Sequence, residues 1–334
     1  ATLTASAGSI TDNNGDSSNN VTAATLVASA QDLVGNANDN ILLNPGGTGF
    51  DALETAVTNL TVTTTATSSE IAIDNSLGSL LTVTSATPDD GGDATLWIQN
   101  DNGLTVSLWD LDGNDNVALL AASGNITIPD GGAGVVDSSG NLANADISLT
   151  STSTNKIRLE AAAGLVQDSA SNALVIAAND LLIKTNTLNS ETTGTAVLNF
   201  GTTDVELAVV LRGKLDVDIN SDAQNLRILG ANSGGNSDDL KIGDVDSDTY
   251  SMTTNGTASS GELTVTVLNG TSAITDDSDE SSPTLAIYNT LNTDNANINL
   301  NVLGLNVPGG NSQDAGNIQI LGGATVQTDA TNDQ

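Results

Sequence analysis

The sequence predicts an all-β chain wound as a parallel β-solenoid with coils of about 22 residues. Three observations carry the prediction. First, aliphatic x-L-x-V-type pairs recur at Leu60/Val62, Leu81/Val83, Leu104/Val106, Ile126/Ile128 and Ile147/Leu149, at spacings of 21, 23, 22 and 21 residues. The beat resumes at Val205/Leu207, Leu226/Ile228, Leu240/Ile242, Leu263/Val265 and Leu285/Ile287. A fixed period in this range marks units that bury their apolar faces only against their neighbours. Second, the runs between turns alternate apolar and polar residues, as strands with one buried face do. Third, the chain is 38% hydrophobic but only 2% aromatic. Narrow stacked coils suit such a composition, because equivalent Leu, Ile, Val and Ala form ladders. A conventional globular core is normally filled with more large aromatics.

Taken in order, the strand signals are residues 56–65 (AVTNLTVTTT), 70–74 (EIAID), 80–84 (LLTVT), 215–219 (LDVDI), 262–267 (ELTVTV) and 297–302 (NINLNV). Clusters rich in Asn, Gly, Asp and Pro separate them at 13–20, 44–49, 88–92, 112–116, 130–134, 232–239 and 307–311. Pro45, Pro88, Pro129, Pro283 and Pro308 all sit in or beside such turns, where no ladder hydrogen bond is lost. No capped stretch of period 3.6 stands out. Tandem β-sandwiches, the competing all-β arrangement, would show hairpin-linked strands, aromatic anchors and units near 100 residues. The expected organisation is one continuous solenoid over residues 1–334, with a break in phase near 155–182.

The net charge is −34 and the pI about 4.1. That excludes a usual nucleic-acid partner, which needs a basic face, and disfavours docking on anionic lipid. No apolar run is long enough for a transmembrane helix, so no membrane insertion is expected. A chain that starts at Ala1, without Met or a visible signal peptide, is expected to be a processed product or an excerpt. Cys and His are absent, which fits an extracellular bacterial protein that does not rely on disulfides. The seven basic residues, Lys156, Arg158, Lys184, Arg212, Lys214, Arg227 and Lys241, all fall between positions 156 and 241. Carboxylates nearer the ends must be solvated, bonded to backbone N–H groups or bound to metal.

The Asp clusters are the candidate sites. Asp110-Leu-Asp112-Gly-Asn114-Asp115 alternates oxygen ligands around a Gly, and Asp244-Val-Asp246-Ser-Asp248 is a second D-x-D-x-D. Both suit calcium, a hard cation that takes oxygen ligands. Neither is an EF-hand, because position twelve is Ala121 or Asn255 rather than a bidentate Glu. Asp276-Asp277-Ser-Asp279-Glu280 is a third, denser cluster. The competing reading of all three is turn capping by short polar side chains. Without His or Cys, the common nucleophilic triads and zinc sites are absent. A calcium-dependent polysaccharide-active enzyme, using Arg212, Lys214 and Arg227, remains as a further alternative. Trp97 and Trp109 are expected to fill the core or cap an end.

LTASAGSITD at 3–12, VTAATLVASA at 21–30, Asn44-Pro45, then LETAV at 53–57, NLTVTTT and EIAIDN resemble the repeat region of filamentous-haemagglutinin-like bacterial exoproteins. The resemblance is good over residues 1–85 and compositional beyond. GGTGFDA departs from it by separating Asn44-Pro45 from Leu53. It implies a right-handed β-helix on the cell exterior, non-enzymatic, used as a stalk or for adhesion to a cell-surface or glycan receptor. The alternative role is a subunit of an extracellular filament or surface layer. There, residues 1–12 of one copy would pair with residues 315–328 of the next, because open solenoid ends expose unpaired strand edges.

Overall fold

The computed structural model describes residues 1–13, 18–37, 50–88, 93–107, 115–128, 147–148, 155–167, 174–189, 205–211, 213–219, 226–230, 239–247, 250–254, 262–268, 284–293, 297–303 and 317–328. Among these residues there is no helix, and every pairing between named strands is parallel. Contacts divide the chain into two compact units. One comprises Ala1–Pro129 with Leu149–Val166 and Lys184–Asn186; the other comprises Asp130–Ser148, Gln167–Ile183 and Thr187–Gln334.

The first unit has two ladders. One stacks Thr2–Ala5, Thr25–Ala30, Asn59–Thr64, Leu81–Thr87, Leu104–Val106 and Asn125–Ile128. The other stacks Leu53–Ala56, Glu70–Asn75, Thr95–Asn100, Asn116–Ala121 and Lys156–Gln167. Strands of the two ladders alternate along the chain from Leu53 to Ile128, so each coil gives one strand to each. Consecutive strands that never pair with each other are the pattern of a parallel β-solenoid, since antiparallel hairpins pair neighbours in sequence.

The second unit repeats the plan. Its first ladder stacks Ile147–Ser148, Leu174–Ala178, Val205–Leu211, Leu226–Gly230, Glu262–Leu268 and Asn297–Leu303. Its second contains Lys214–Ile219 and then splits into pairs of short strands. These pairs are Asp239–Ile242 with Tyr250–Thr254, Thr284–Ile287 with Thr290–Thr293, and Asn317–Ile320 with Val326–Gln327.

The core is a set of aliphatic columns. Leu81, Leu104 and Ile126 stack, as do Val83 and Val106, and all five are fully buried. Leu207, Ile228, Val265 and Leu300 form a column in the second unit, and Leu215, Ile242, Ile287 and Ile320 form another. Burying one such side chain is worth about 1.5–3 kcal/mol.

Three features differ from the uniform beat of the sequence. Val83 lies opposite Leu60, not Val62, because a bulge after Leu60 leaves Thr84 unpaired and shifts Val62 to Ala86. Leu240/Ile242 and Leu285/Ile287 do not share a ladder with Leu226/Ile228 and Leu263/Val265; they belong to the other sheet of the same unit. The steps are also unequal. Leu104 is 23 residues from Leu81 and 22 from Ile126, whereas Leu226 is 37 from Leu263 and Leu240 is 45 from Leu285. The added residues sit between strands, where they disturb no ladder pairing.

The middle strands of the second ladder of the first unit are buried on both faces. Thr95–Asn100 (TLWIQN) and Asn116–Ala121 (NVALLA) accordingly read as nearly continuous apolar runs rather than alternations. On the face away from the aliphatic columns, Trp97 is stacked between Ala72 and Ala118. Phe50 meets its ring edge-on at 4.7 Å between centroids, and Ala37 and Ala52 complete the cover. Gly35 lets the chain enter this cover. Its φ is +71°, and a Cβ there would lie 2.1 Å from the Ala72 carbonyl oxygen.

Buried amides bind coil to coil where the strands end. Asn75 and Asn100 occupy equivalent positions and are fully buried. Asn75 Oδ1 accepts from the Val57 N–H and the Thr55 hydroxyl, both at 2.8 Å. Its Nδ2 donates to the Val57 carbonyl at 3.0 Å and to Asn100 Oδ1 at 2.7 Å. Asn100 Nδ2 continues the chain to the carbonyls of Ser79 and Gly103. Asn75→Ala strands a buried N–H, a hydroxyl and an amide oxygen, each costing about 1–3 kcal/mol unpaired. We expect a fall of about 3 kcal/mol in unfolding free energy, seen as a lower urea midpoint at unchanged slope.

Candidate functional site

Carboxylates and amides at the strand ends mostly accept backbone N–H groups from a neighbouring coil. Glu70 Oε2 accepts the Ala37 N–H at 2.7 Å, and Asn20 Oδ1 accepts the Glu54 N–H at 2.8 Å. Asn116 Oδ1 accepts the Lys156 N–H, and Asp180 Oδ1 accepts the Lys214 N–H at 2.7 Å. These N–H groups sit where the ladder is interrupted and a side-chain oxygen completes it.

Asp115 belongs to this set. It is fully buried, and its Oδ1 accepts the Ala94 N–H at 3.0 Å. Its fellow members of the first calcium motif, Asp110, Asp112 and Asn114, lie outside the described residues, as do Asp248, the cluster at 276–280 and Trp109.

Two residues of the second motif meet a third acid from another coil. Strand Lys214–Ile219 alternates. Leu215, Val217 and Ile219 point inward, and Lys214, Asp216 and Asp218 point outward. In the next coil, Ile242 lies opposite Leu215 and Met252 lies opposite Val217. Nine residues, 243–251, therefore stand where one would match Asp216. Asp216 is fully buried, and its Oδ2 accepts the Val245 N–H at 2.7 Å. Asp244 and Asp246 come from that insertion, and one carboxylate oxygen from each of Asp216, Asp244 and Asp246 lies within 4.8 Å of the others.

The insertion is held at several points. Asp244 Oδ1 accepts the Ser247 N–H, folding the loop on itself, and Ser247 adopts a left-handed φ of 75°. The Asp244 N–H donates to Asn289 Oδ1 of the following coil at 3.3 Å. Lys214 Nζ donates to the Asp244 carbonyl at 3.3 Å, which puts one positive charge beside three negative ones. Two ligands that share a cation at about 2.4 Å are at most about 4.8 Å apart, so the three oxygens are close enough together for one cation to touch all of them. The donor set also fits, being all oxygen and partly open to solvent, since Asp244 and Asp246 are half-buried.

Sequence reading finds Asp244 and Asp246 but not Asp216. The available signal is the polar Asp216 inside LDVDI, at an outward position just ahead of the D-x-D-x-D cluster. A search for contiguous motifs passes over it because it lies one coil earlier. Of the basic residues assigned to the enzyme alternative, Arg212 is outside the described residues and Lys214 is engaged with the insertion.

The outward face of the first ladder in the first unit offers a different surface. Its strands TLTA, TLVASA, NLTVTT, LTVTSAT, LTV and NITI contain no charged residue. Thr82, Thr105 and Thr127 form one hydroxyl column and Thr63 and Thr87 part of another, joined by a bond of 2.9 Å between Thr87 and Thr63.

In comparison with known proteins, no family model matches the chain, and no curated protein or solved structure is significantly similar to it.

Proposed function

We propose that the chain is a non-enzymatic structural and adhesive segment of a secreted or surface-exposed bacterial protein. Its unit would be a right-handed coil of about 22 residues, lengthened in places by corner insertions. One observation carries this reading: among the described residues, Asn20, Glu70, Asp115, Asn116 and Asp180 each spend a side-chain oxygen on a backbone N–H of a neighbouring coil. Such a distribution supports rigidity and reach. The haemagglutinin-like residues at 1–85 point to the same role and to an extracellular location.

In this reading the uncharged Thr face is the contact surface. It displays hydroxyls and methyls at strand spacing, about 4.8 Å between coils. A neutral partner such as a cell-surface glycan meets no charge repulsion there, although the whole chain carries −34. Beads coated with the chain are expected to adhere to a neutral glycan surface. The double variant T82E/T127E, whose positions are separated by Thr105 in the column, is expected to reduce that adhesion at least tenfold with only a small shift in the unfolding curve. Adhesion insensitive to these substitutions, or cleavage of acidic polysaccharides by the chain, would count against the proposal.

Calcium enters the proposal as a structural ion held by Asp216, Asp244 and Asp246, tying the 243–251 insertion to the coil beneath it. A ligand at 100 times its Kd adds about 2.7 kcal/mol of stability. Calcium is therefore expected to raise Tm by several degrees, reversibly with chelator. Asp246→Asn is expected to remove most of that increment and leave the calcium-free Tm nearly unchanged, because Asp246 is half-exposed. Calorimetry with and without chelator checks both expectations.

A further inference from the structure

The outward face of the first ladder in the first unit is periodic in two directions. Register places Thr25, Asn59, Thr82, Thr105 and Thr127 in one column. The two columns beside it hold only Thr, Ser and one Val. Rows lie about 4.8 Å apart between coils and columns about 6.6 Å apart along the strands. The bulge after Leu60 interrupts this grid with one more exposed threonine, Thr84. The hydroxyls of Thr82, Thr105 and Thr127 are bonded to no described group. Thr is stiff at χ1, so hydroxyl and methyl are oriented before any contact forms, and little side-chain freedom is lost on binding.

We infer that this grid binds the surface of ice. The inference uses the surface of the glycan reading but not its ligand, so the two can fail separately.

Three observations select ice among neutral partners. The two spacings of the grid lie within about a tenth of the two principal lattice repeats of hexagonal ice, so successive threonines meet equivalent lattice positions. Water ordered by the hydroxyls and around the methyls is then placed to join the crystal. Second, the strands carry no charged side chain, although the chain carries −34. A charged group holds a hydration shell of its own, which an ice lattice does not accommodate. Third, these strands offer no aromatic ring and no cleft-like set of distinct polar groups. Their contacts are many, weak and alike, and such contacts add together only against a partner that repeats at the same spacing.

The test is partition into slowly growing ice. The parent chain is expected to be enriched in the ice over the remaining liquid. Thr105→Lys, within the longest column, is expected to lose most of that enrichment while keeping the parent urea transition. Thr25→Lys, at an exposed position of the same column, is expected to show the same loss and serves should T105K lower stability. Asp101→Lys, exposed in the turn after Thr95–Asn100 and off the grid, is expected to partition as the parent does. Exclusion of the parent from ice, incorporation of both Thr variants equal to the parent, or an equal loss in D101K would each overturn the inference. Incorporation without adhesion to a glycan surface supports it and removes only the glycan ligand.

Discussion

Parallel pairing from coil to coil is the constraint on which everything else in this chain depends. A strand in such a ladder has no hairpin partner, so all its backbone groups must be satisfied by the coils on either side. At several described strand ends the neighbouring coil presents an N–H outside the ladder. The chain answers with short oxygen-bearing side chains: Asn20 for Glu54, Glu70 for Ala37, Asp115 for Ala94, Asp180 for Lys214. Much of the Asn and Asp content thus reflects the fold itself. It also explains how an acidic chain with seven basic residues buries carboxylates, since an N–H aimed at an oxygen stabilises the ionised form without a cation.

The same constraint shapes the core. Equivalent positions meet their own kind at strand spacing, so side chains that stack without mutual interference are favoured, and Leu, Ile and Val fill the columns. Trp97 shows what a large ring demands. It sits between Ala72 and Ala118, and only the small neighbours above and below leave room for it. The cover of Phe50, Ala37 and Ala52 shields it from water, which accounts for the loss of polar alternation in TLWIQN.

The sequence was most legible where selection acts on the columns. The pairs at Leu81, Leu104 and Ile126, and those at Val205/Leu207 and Leu226/Ile228, are partners in the ladders as their spacing implies. Two things stayed hidden. Strands of both sheets in a coil carry the same inward alternation, so a single beat through Leu226, Leu240, Leu263 and Leu285 does not separate the two ladders. The bulge at Thr84 involves one extra polar residue in a polar run and leaves no compositional trace. At the candidate site, Asp244 and Asp246 were legible as a local motif, while Asp216 needed the register. Asp115 was legible as an acid with two open roles, because a calcium loop and an N–H acceptor draw on the same residue types, and the bond to the Ala94 N–H is of the second kind.

The insertion at 243–251 illustrates where such a fold has freedom. Ladder energetics fix the strands, yet Leu215 keeps Ile242 and Val217 keeps Met252 as partners although nine residues intervene. Closing a longer loop adds little entropic cost, about 0.6 kcal/mol per doubling. Corners can therefore grow without loss of the coil, as the 37- and 45-residue steps show. An insertion that merely protrudes gains nothing from the core. This one folds back over Asp216, and bonds from Asp216, Asn289 and Lys214 anchor it to the coils on both sides. The result is a cluster of three carboxylates assembled from two coils, with Lys214 beside it at the Asp244 carbonyl. Oxygen ligands arise there as a consequence of fastening a loop to a ladder, and a cation at that point would complete the fastening.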